Sequence, residues 1–159
     1  MEDKNLVNNS EDYTDILLTL KEWWGEGSYG YKTIDVLFDG RVLLEEKNTT
    51  IDEDGKKEKI ERNENIAVLD ESDLECLGNI IKFIYNNFNE NETTMIFDYG
   101  VEITVNYDSS NICIKNEEYL YNQLKKILKA FIEKNTSNTK INYSDIEKNF
   151  IKDFLANQK

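Results

Sequence analysis

The apolar residues of this chain change their spacing along its length, and that change restricts the fold more than any other feature. From Tyr31 to Phe38, Arg41 to Lys47, Val101 to Tyr107 and Ile112 to Lys115, β-branched and aromatic residues alternate or cluster in short runs, as strands require. Over 72–88, 117–134 and 144–156 the spacing lengthens to three and four residues, giving single apolar stripes suited to helices on a sheet. Ser72 with Glu75 and Ser144 with Glu147 supply S-x-x-E capping boxes, and Asn116 is placed to cap the helix after it. A fourth amphipathic helix is predicted over 12–24, where Tyr13, Ile16, Leu17 and Leu20 fall at i, i+3, i+4 and i+7 and Trp23 and Trp24 continue the stripe.

Strands and helices come in runs rather than in strict alternation. The expected fold is therefore α+β: an antiparallel sheet of about five to six strands, with hairpins at 31–47 and 94–115 and helices packed on one face. Asp39-Gly40 is the residue pair favoured by a two-residue type I′ turn. Asp52-Glu53-Asp54-Gly55 should reverse the chain into a strand near 57–62, with Ile66–Leu69 adding a short strand or leading into the next helix. Gly100 is expected to break strands at 94–98 and 101–107, and Asp108–Asn111 to form the next turn. Residues 1–9 are polar and expected to fray. No Pro- or Gly-rich linker divides the remainder, so 10–159 reads as a single domain.

Composition removes several kinds of chemistry. Among the 159 residues there is no His, which excludes His-based triads and HExxH zinc sites. The two cysteines, Cys76 and Cys113, lack a CxxC partner and read as buried small hydrophobes. No metal or cofactor is expected. There is no long apolar run to span a membrane and no basic-then-apolar leader at the N-terminus, so the expected compartment is the bacterial cytoplasm. With 32 acidic against 19 basic residues the net charge is −13, which disfavours direct binding of nucleic acid or an anionic membrane.

Two motifs imitate ligand-binding loops. Gly25-Glu26-Gly27-Ser28-Tyr29-Gly30 is a G-x-G-x-x-G, but it follows a predicted helix and opens a strand, the reverse of the dinucleotide-binding context. It also resembles the glycine-rich loop of protein kinases, with Asp98-Tyr99-Gly100 resembling their D-F-G. The H-R-D loop that family requires is absent, and the hexapeptide reads as a connector. Thr50–Glu61 approximates a calcium loop, with Asp52, Asp54, Gly55 and Glu61 at its third, fifth, sixth and twelfth positions. Thr50 replaces the first ligand, Lys57 stands where an apolar residue belongs, and the flanks read as strands. A solvated hairpin turn is the better reading.

The charge is unevenly distributed. Residues 1–111 hold 26 acidic and 10 basic residues, whereas 112–159 hold 6 acidic and 9 basic, with Lys125, Lys126, Lys129, Lys134, Lys148 and Lys152 expected on solvent faces. An acidic surface speeds encounter with a basic one, and clefts lined with Lys and Arg belong to nucleic-acid-handling proteins. The expected contact surface comprises Asp35, Asp39, Glu45, Glu46, Asp52, Glu53 and Asp54, with Trp23, Trp24, Tyr29 and Tyr31 as aromatic anchors. On a helix the adjacent tryptophans point about 100° apart, so burying both in one core is awkward.

In size, acidity and lack of catalytic residues the chain resembles two groups: phage anti-CRISPR or other anti-defence inhibitors, and immunity proteins that neutralise toxic nucleases. The resemblance implies a non-enzymatic inhibitor of a basic partner, a nuclease or CRISPR effector. Two alternatives come from other classes. One is a small metal enzyme using Asp and Glu alone. The other is an oligomeric adaptor whose open sheet face and last helix (Phe150, Ile151, Phe154) form an interface. Monomer and homodimer are both compatible with the sequence.

Overall fold

The computed structural model describes residues 15–25, 28–88, 99–137 and 139–157. The N-terminal stretch 1–9, Tyr13 and the strand expected over 94–98 lie outside the described residues. Six strands and three helices are described, in the order β1 (Ile16–Trp24), β2 (Ser28–Leu37), β3 (Arg41–Ile51), β4 (Lys57–Val68), α1 (Glu71–Asn87), β5 (Tyr99–Tyr107), β6 (Ser110–Lys115), α2 (Glu118–Ser137) and α3 (Tyr143–Ala156). The fold is α+β, with one antiparallel sheet of order β4-β3-β2-β1-β5-β6.

The helix predicted over 12–24 is instead a strand through its described part. Ile16–Trp24 is β1, in the middle of the sheet, paired with β2 on one side and β5 on the other. A register shift between Ile16 and Leu18 makes Leu17 a bulge residue, so Leu17 and Leu18 are both buried in succession. That doubling disguises the two-residue period.

Register assigns the two faces. Leu18 lies between Val36 and Val105, and Leu20 between Ile34 and Ile103; Val42 and Ile114 extend the same rows. With Leu77, Ile81 and Ile84 of α1, Leu120, Leu124, Leu128 and Phe131 of α2, and Phe150 of α3 they form the buried core. All three helices contribute to this one side. Phe150 and Phe154 pack edge-on against Phe83 at centroid distances of 6.2 and 5.0 Å. Phe150 and Phe154 of α3 are thus buried within their own chain, while Ile151 is half-buried and Leu155 exposed.

The turns differ in type from their sequence forecast. At β2–β3 only Gly40 has positive φ (100°), and its N–H donates to Leu37 O at 3.0 Å, so Asp39-Gly40 is not a type I′ pair. Gly40 is nevertheless obligatory: a Cβ there would stand 2.4 Å from the Leu69 carbonyl oxygen. The two-residue loop with both φ positive occurs instead at Asp108-Ser109 (52° and 62°), between β5 and β6. Gly100 does not break a strand; it lies within β5.

Helix caps are displaced from the predicted positions. Asp70, not Ser72, caps α1: its carboxylate accepts from Asp73 N (2.9 Å) while Asp73 returns a bond to Asp70 N (3.2 Å). Buried Leu69 and half-buried Leu74 occupy the flanking staple positions. Asn142 rather than Ser144 caps α3, accepting from Asp145 N at 3.1 Å. Asn116 sits two residues before α2 with φ of 61° and donates its N–H to Val101 O, so it makes the turn rather than the cap.

A polar junction fastens the helices together. The Lys134 ammonium donates to Asp70 Oδ2 (2.6 Å), Asp73 Oδ1 (2.8 Å) and Tyr143 Oη (2.9 Å), and Tyr143 also donates to Asp73 at 2.7 Å. Asp73 is wholly buried, and this junction supplies its partners. Lys134, read from sequence as a solvent-facing charge, is therefore a structural tie between α1, α2 and α3.

Candidate functional site

The opposite face of the sheet carries no helix among the described residues. Along β1 it presents Thr19, Lys21 and Trp23; along β2 Asp35, Thr33, Tyr31 and Tyr29; and along β3 Leu43, Glu45 and Lys47. Thr104 and Glu102 of β5 and Cys113 and Lys115 of β6 complete it. Most of these side chains are half-buried.

Trp23 and Tyr31 lie on its two middle strands, directly opposed on β1 and β2. On its other side Trp23 faces Gly100, and its indole lies so close that a Cβ there would stand 2.2 Å from Cζ2. Glycine at position 100 gives the ring its seat, and the ring in turn covers the glycine. Tyr31 donates its hydroxyl to Glu45 Oε1 (3.1 Å), with the Lys21 and Lys47 ammonium groups 5.2 and 6.0 Å from its ring centre. Beside them Thr19 Oγ1 donates to Asp35 Oδ1 at 2.7 Å. Burial pushes the Asp35 carboxyl above the ordinary aspartate value, the Thr19 hydrogen bond opposes this and Glu45 adds to it.

The structure separates the residues that the sequence grouped. Trp23, Tyr29, Tyr31, Asp35 and Glu45 share the open face. Trp24 and Glu46 point to the other side: Trp24 Nε1 reaches across Gly30 to Asn48 Oδ1 (3.0 Å), and Glu46 lies 3.6 Å from Arg62. The adjacent tryptophans thus lie on opposite faces, each half-exposed and neither in the core. Asp39 is at the β2–β3 turn, bound to the Arg41 N–H and guanidinium, which hold its carboxyl below the usual value. Asp52, Glu53 and Asp54 are at the far end of β3, an 11-residue strand of roughly 36 Å. Between Ser28 and Val68 ten acidic residues are offset by seven basic ones, so this region is mixed in charge.

The imitated loops resolve as structure. Asp52 Oδ1 accepts from Asp54 N (3.0 Å) and Lys56 N (2.7 Å), so this carboxylate oxygen organises its own turn. Glu61, the would-be twelfth ligand, is several residues away along β4, opposite Lys47. The glycine hexapeptide joins two strands, and a Cβ at its last glycine, Gly30, would stand 2.0 Å from the Lys47 carbonyl oxygen. Glu26, Gly27 and Asp98 lie outside the described residues.

Among the described residues no group of three or more His, Cys, Asp or Glu is placed to hold a metal ion. Cys76 is buried in α1 with its thiol pushed up to about 12, chiefly by burial. Cys113 is not in the core as expected but half-buried on the open face, where burial and Glu102 raise its pKa. A groove of about 420 Å³ runs between α2 and α3 and is lined by Tyr119, Gln123, Ile127, Ala130, Ile146 and Phe150.

Sequence reasoning missed Thr19, Lys21, Lys47 and Glu102 as neighbours of the aromatic pair, because reading β1 as a helix gave the wrong face to each of its residues. The signal available was composition: Ile, Thr and two tryptophans in nine residues favour a strand. Among the described residues no helix is long and apolar enough to cross a membrane. Comparison of the chain with protein-family models, curated proteins and solved structures gave no match.

Proposed function

We propose that this chain is a non-enzymatic binding protein that inhibits a basic, nucleic-acid-handling protein partner in a bacterial cytoplasm, and that the partner seats on the open face of the sheet. The observation that supports the reading is the Trp23–Tyr31 pair, half-exposed on the two middle strands of a sheet face that carries no helix among the described residues. Large aromatic rings with a polar tip are the residues that most often dominate binding energy, particularly when ringed by polar groups that exclude water. Here the ring is Lys21, Asp35, Glu45, Lys47 and Glu102. The net charge of −13 steers a basic partner toward the molecule, while the aromatic pair supplies residence time. A phage anti-defence inhibitor and an immunity protein for a toxic nuclease are two versions of this reading, and a toxin gene directly upstream would distinguish the second.

The test is retention from host lysate at low salt by the immobilised chain, with elution by rising salt. Wild type is expected to retain a basic nuclease or CRISPR effector whose activity falls when the free chain is added. Trp23→Ala with Tyr31→Ala, checked by circular dichroism for folding, should weaken retention at least about tenfold. Equal retention by the double variant, or a retained partner whose activity is unaffected, sinks the proposal.

A further inference from the structure

Among the described residues, the strand order leaves the outer edge of β4 without a neighbouring strand. Near its end that edge is engaged, since Asn135 Nδ2 donates to the Val68 carbonyl at 3.1 Å. From Lys57 to Asn65 the strand is regular, paired residue for residue with Ile51 to Leu43, and all its residues are exposed. Ile60 is 48% exposed in the middle of this stretch, with charged residues on both sides.

We propose that β4 pairs antiparallel with β4 of a second copy of this chain, about a two-fold axis through Ile60, joining two six-stranded sheets into one. The segment Lys57-Glu58-Lys59-Ile60-Glu61-Arg62-Asn63 is self-complementary about that point. Lys59 faces Glu61 of the second copy, Glu58 faces its Arg62, Lys57 faces its Asn63, and the two Ile60 side chains cover each other. Symmetry repeats each charged pair. On its own sheet Arg62 also pairs with Glu64 and, at 3.6 Å, with Glu46 of β3.

Charge disfavours the two neighbouring registers. Directly opposed residues in an antiparallel pair point to the same face, so a two-fold axis normal to the sheet permits only registers centred on a residue. Centring on Lys59 sets that lysine against its own copy and Lys56 against Arg62. Centring on Glu61 sets that glutamate against its own copy and Glu58 against Glu64. Like charges opposed in this way are destabilising, and only the Ile60 register among these answers each of its charges with an opposite one or an amide. Lysines on an edge ordinarily repel a further strand; here the interleaved carboxylates reverse that for this one partner. Main-chain hydrogen bonds hold the pair, and the narrow contact makes the dimer concentration-dependent.

Sedimentation of the full chain from low to high micromolar concentration tests this. Wild type should pass from the 18.7 kDa chain to twice that mass. Lys59→Glu and Glu61→Lys, each of which opposes like charges twice per dimer, should each weaken association about tenfold. An equimolar mixture of the two variants should recover it, because the carboxylate introduced at 59 meets the ammonium introduced at 61. The double variant K59E/E61K should recover it alone. A wild type that stays monomeric throughout, single variants that associate as tightly as wild type, or a mixture that fails to recover would each overturn the proposal.

Discussion

The two faces of the sheet share the same backbone and differ in almost everything else. Leu18 and Leu20 point under the helices and are fully buried, whereas Thr19 and Lys21, interleaved with them, point to the open side and stay half-exposed. On the covered side the buried carboxylate of Asp73 is enclosed and partnered by the Lys134 junction. On the open side carboxylates and ammonium groups surround aromatic rings, and Asp35 is held where its charge is disfavoured. One face makes the fold stable, and the other is built from groups that add little to stability and suit contact with another molecule.

The largest expected effect is at Leu20. Leu20→Ala should cost about 4 kcal/mol, because a fully enclosed leucine leaves a cavity, while Lys21→Ala next to it should cost less than about 1 kcal/mol. Urea denaturation of the pair measures the contrast directly, and equal losses would abolish the division into a stabilising and a presenting face.

Next is Lys134→Met, which leaves buried Asp73 facing Asp70 and Tyr143 without a cation, at a cost of about 3 kcal/mol. Burial lowers the Lys134 pKa, but the hydrogen bonds with Asp70, Asp73 and Tyr143 outweigh it, so the folded value lies above that of an ordinary lysine. A raised pKa means stability that is complete below the ordinary lysine value and lost as pH rises through the folded one. The gap between wild type and variant should therefore be constant near neutrality, narrow in strong alkali as Lys134 deprotonates, and narrow in acid as Asp70, whose carboxyl Lys134 holds below the usual value, takes up a proton, as read from denaturation midpoints across pH.

Gly100→Ala should displace the Trp23 indole, costing about 1–3 kcal/mol and shifting tryptophan emission to the red. The smallest effect is expected at Asp35. Burial, with Glu45 adding and Thr19 opposing, raises its pKa, so the carboxyl contributes stability below the ordinary aspartate value and loses it as pH rises through the folded value. Asp35→Asn keeps an acceptor for Thr19 and removes that loss. Its melting temperature should exceed wild type at pH 7 and match it near pH 3. A less stable variant at pH 7 would mean that the open face gains from the charge.

The helices after residue 70 were legible because each carries one apolar stripe and a short polar residue at its start; only the capping residue was misplaced, since Asp70 and Asn142 compete with nearby serines for the same role. β3 and β6 were legible from β-branched alternation. β1 was not, because the Leu17 bulge sets two buried leucines side by side and the remaining spacing also fits a helix. The candidate surface was legible only in part. Tyr29, Tyr31 and Trp23 were identifiable as aromatic anchors, but membership of a face depends on odd or even position within a strand, and that is fixed only once the strands are. Grouping acidic residues by nearness in sequence joined Glu45 to Glu46, which point in opposite directions, and Asp39 to Asp52, which occupy opposite ends of β3.

The central place of β1 also orders events during synthesis. The four-stranded meander from Ile16 to Val68 needs only local reversals and can assemble early, yet it must wait for residues 99–107 before the inner border of β1 is closed. Until then a nascent chain on the ribosome displays two unpaired borders and the bare leucines of a half-built core. A fragment ending at Asn87 should aggregate when released, whereas one reaching Lys115 has all six strands and should stay dispersed longer.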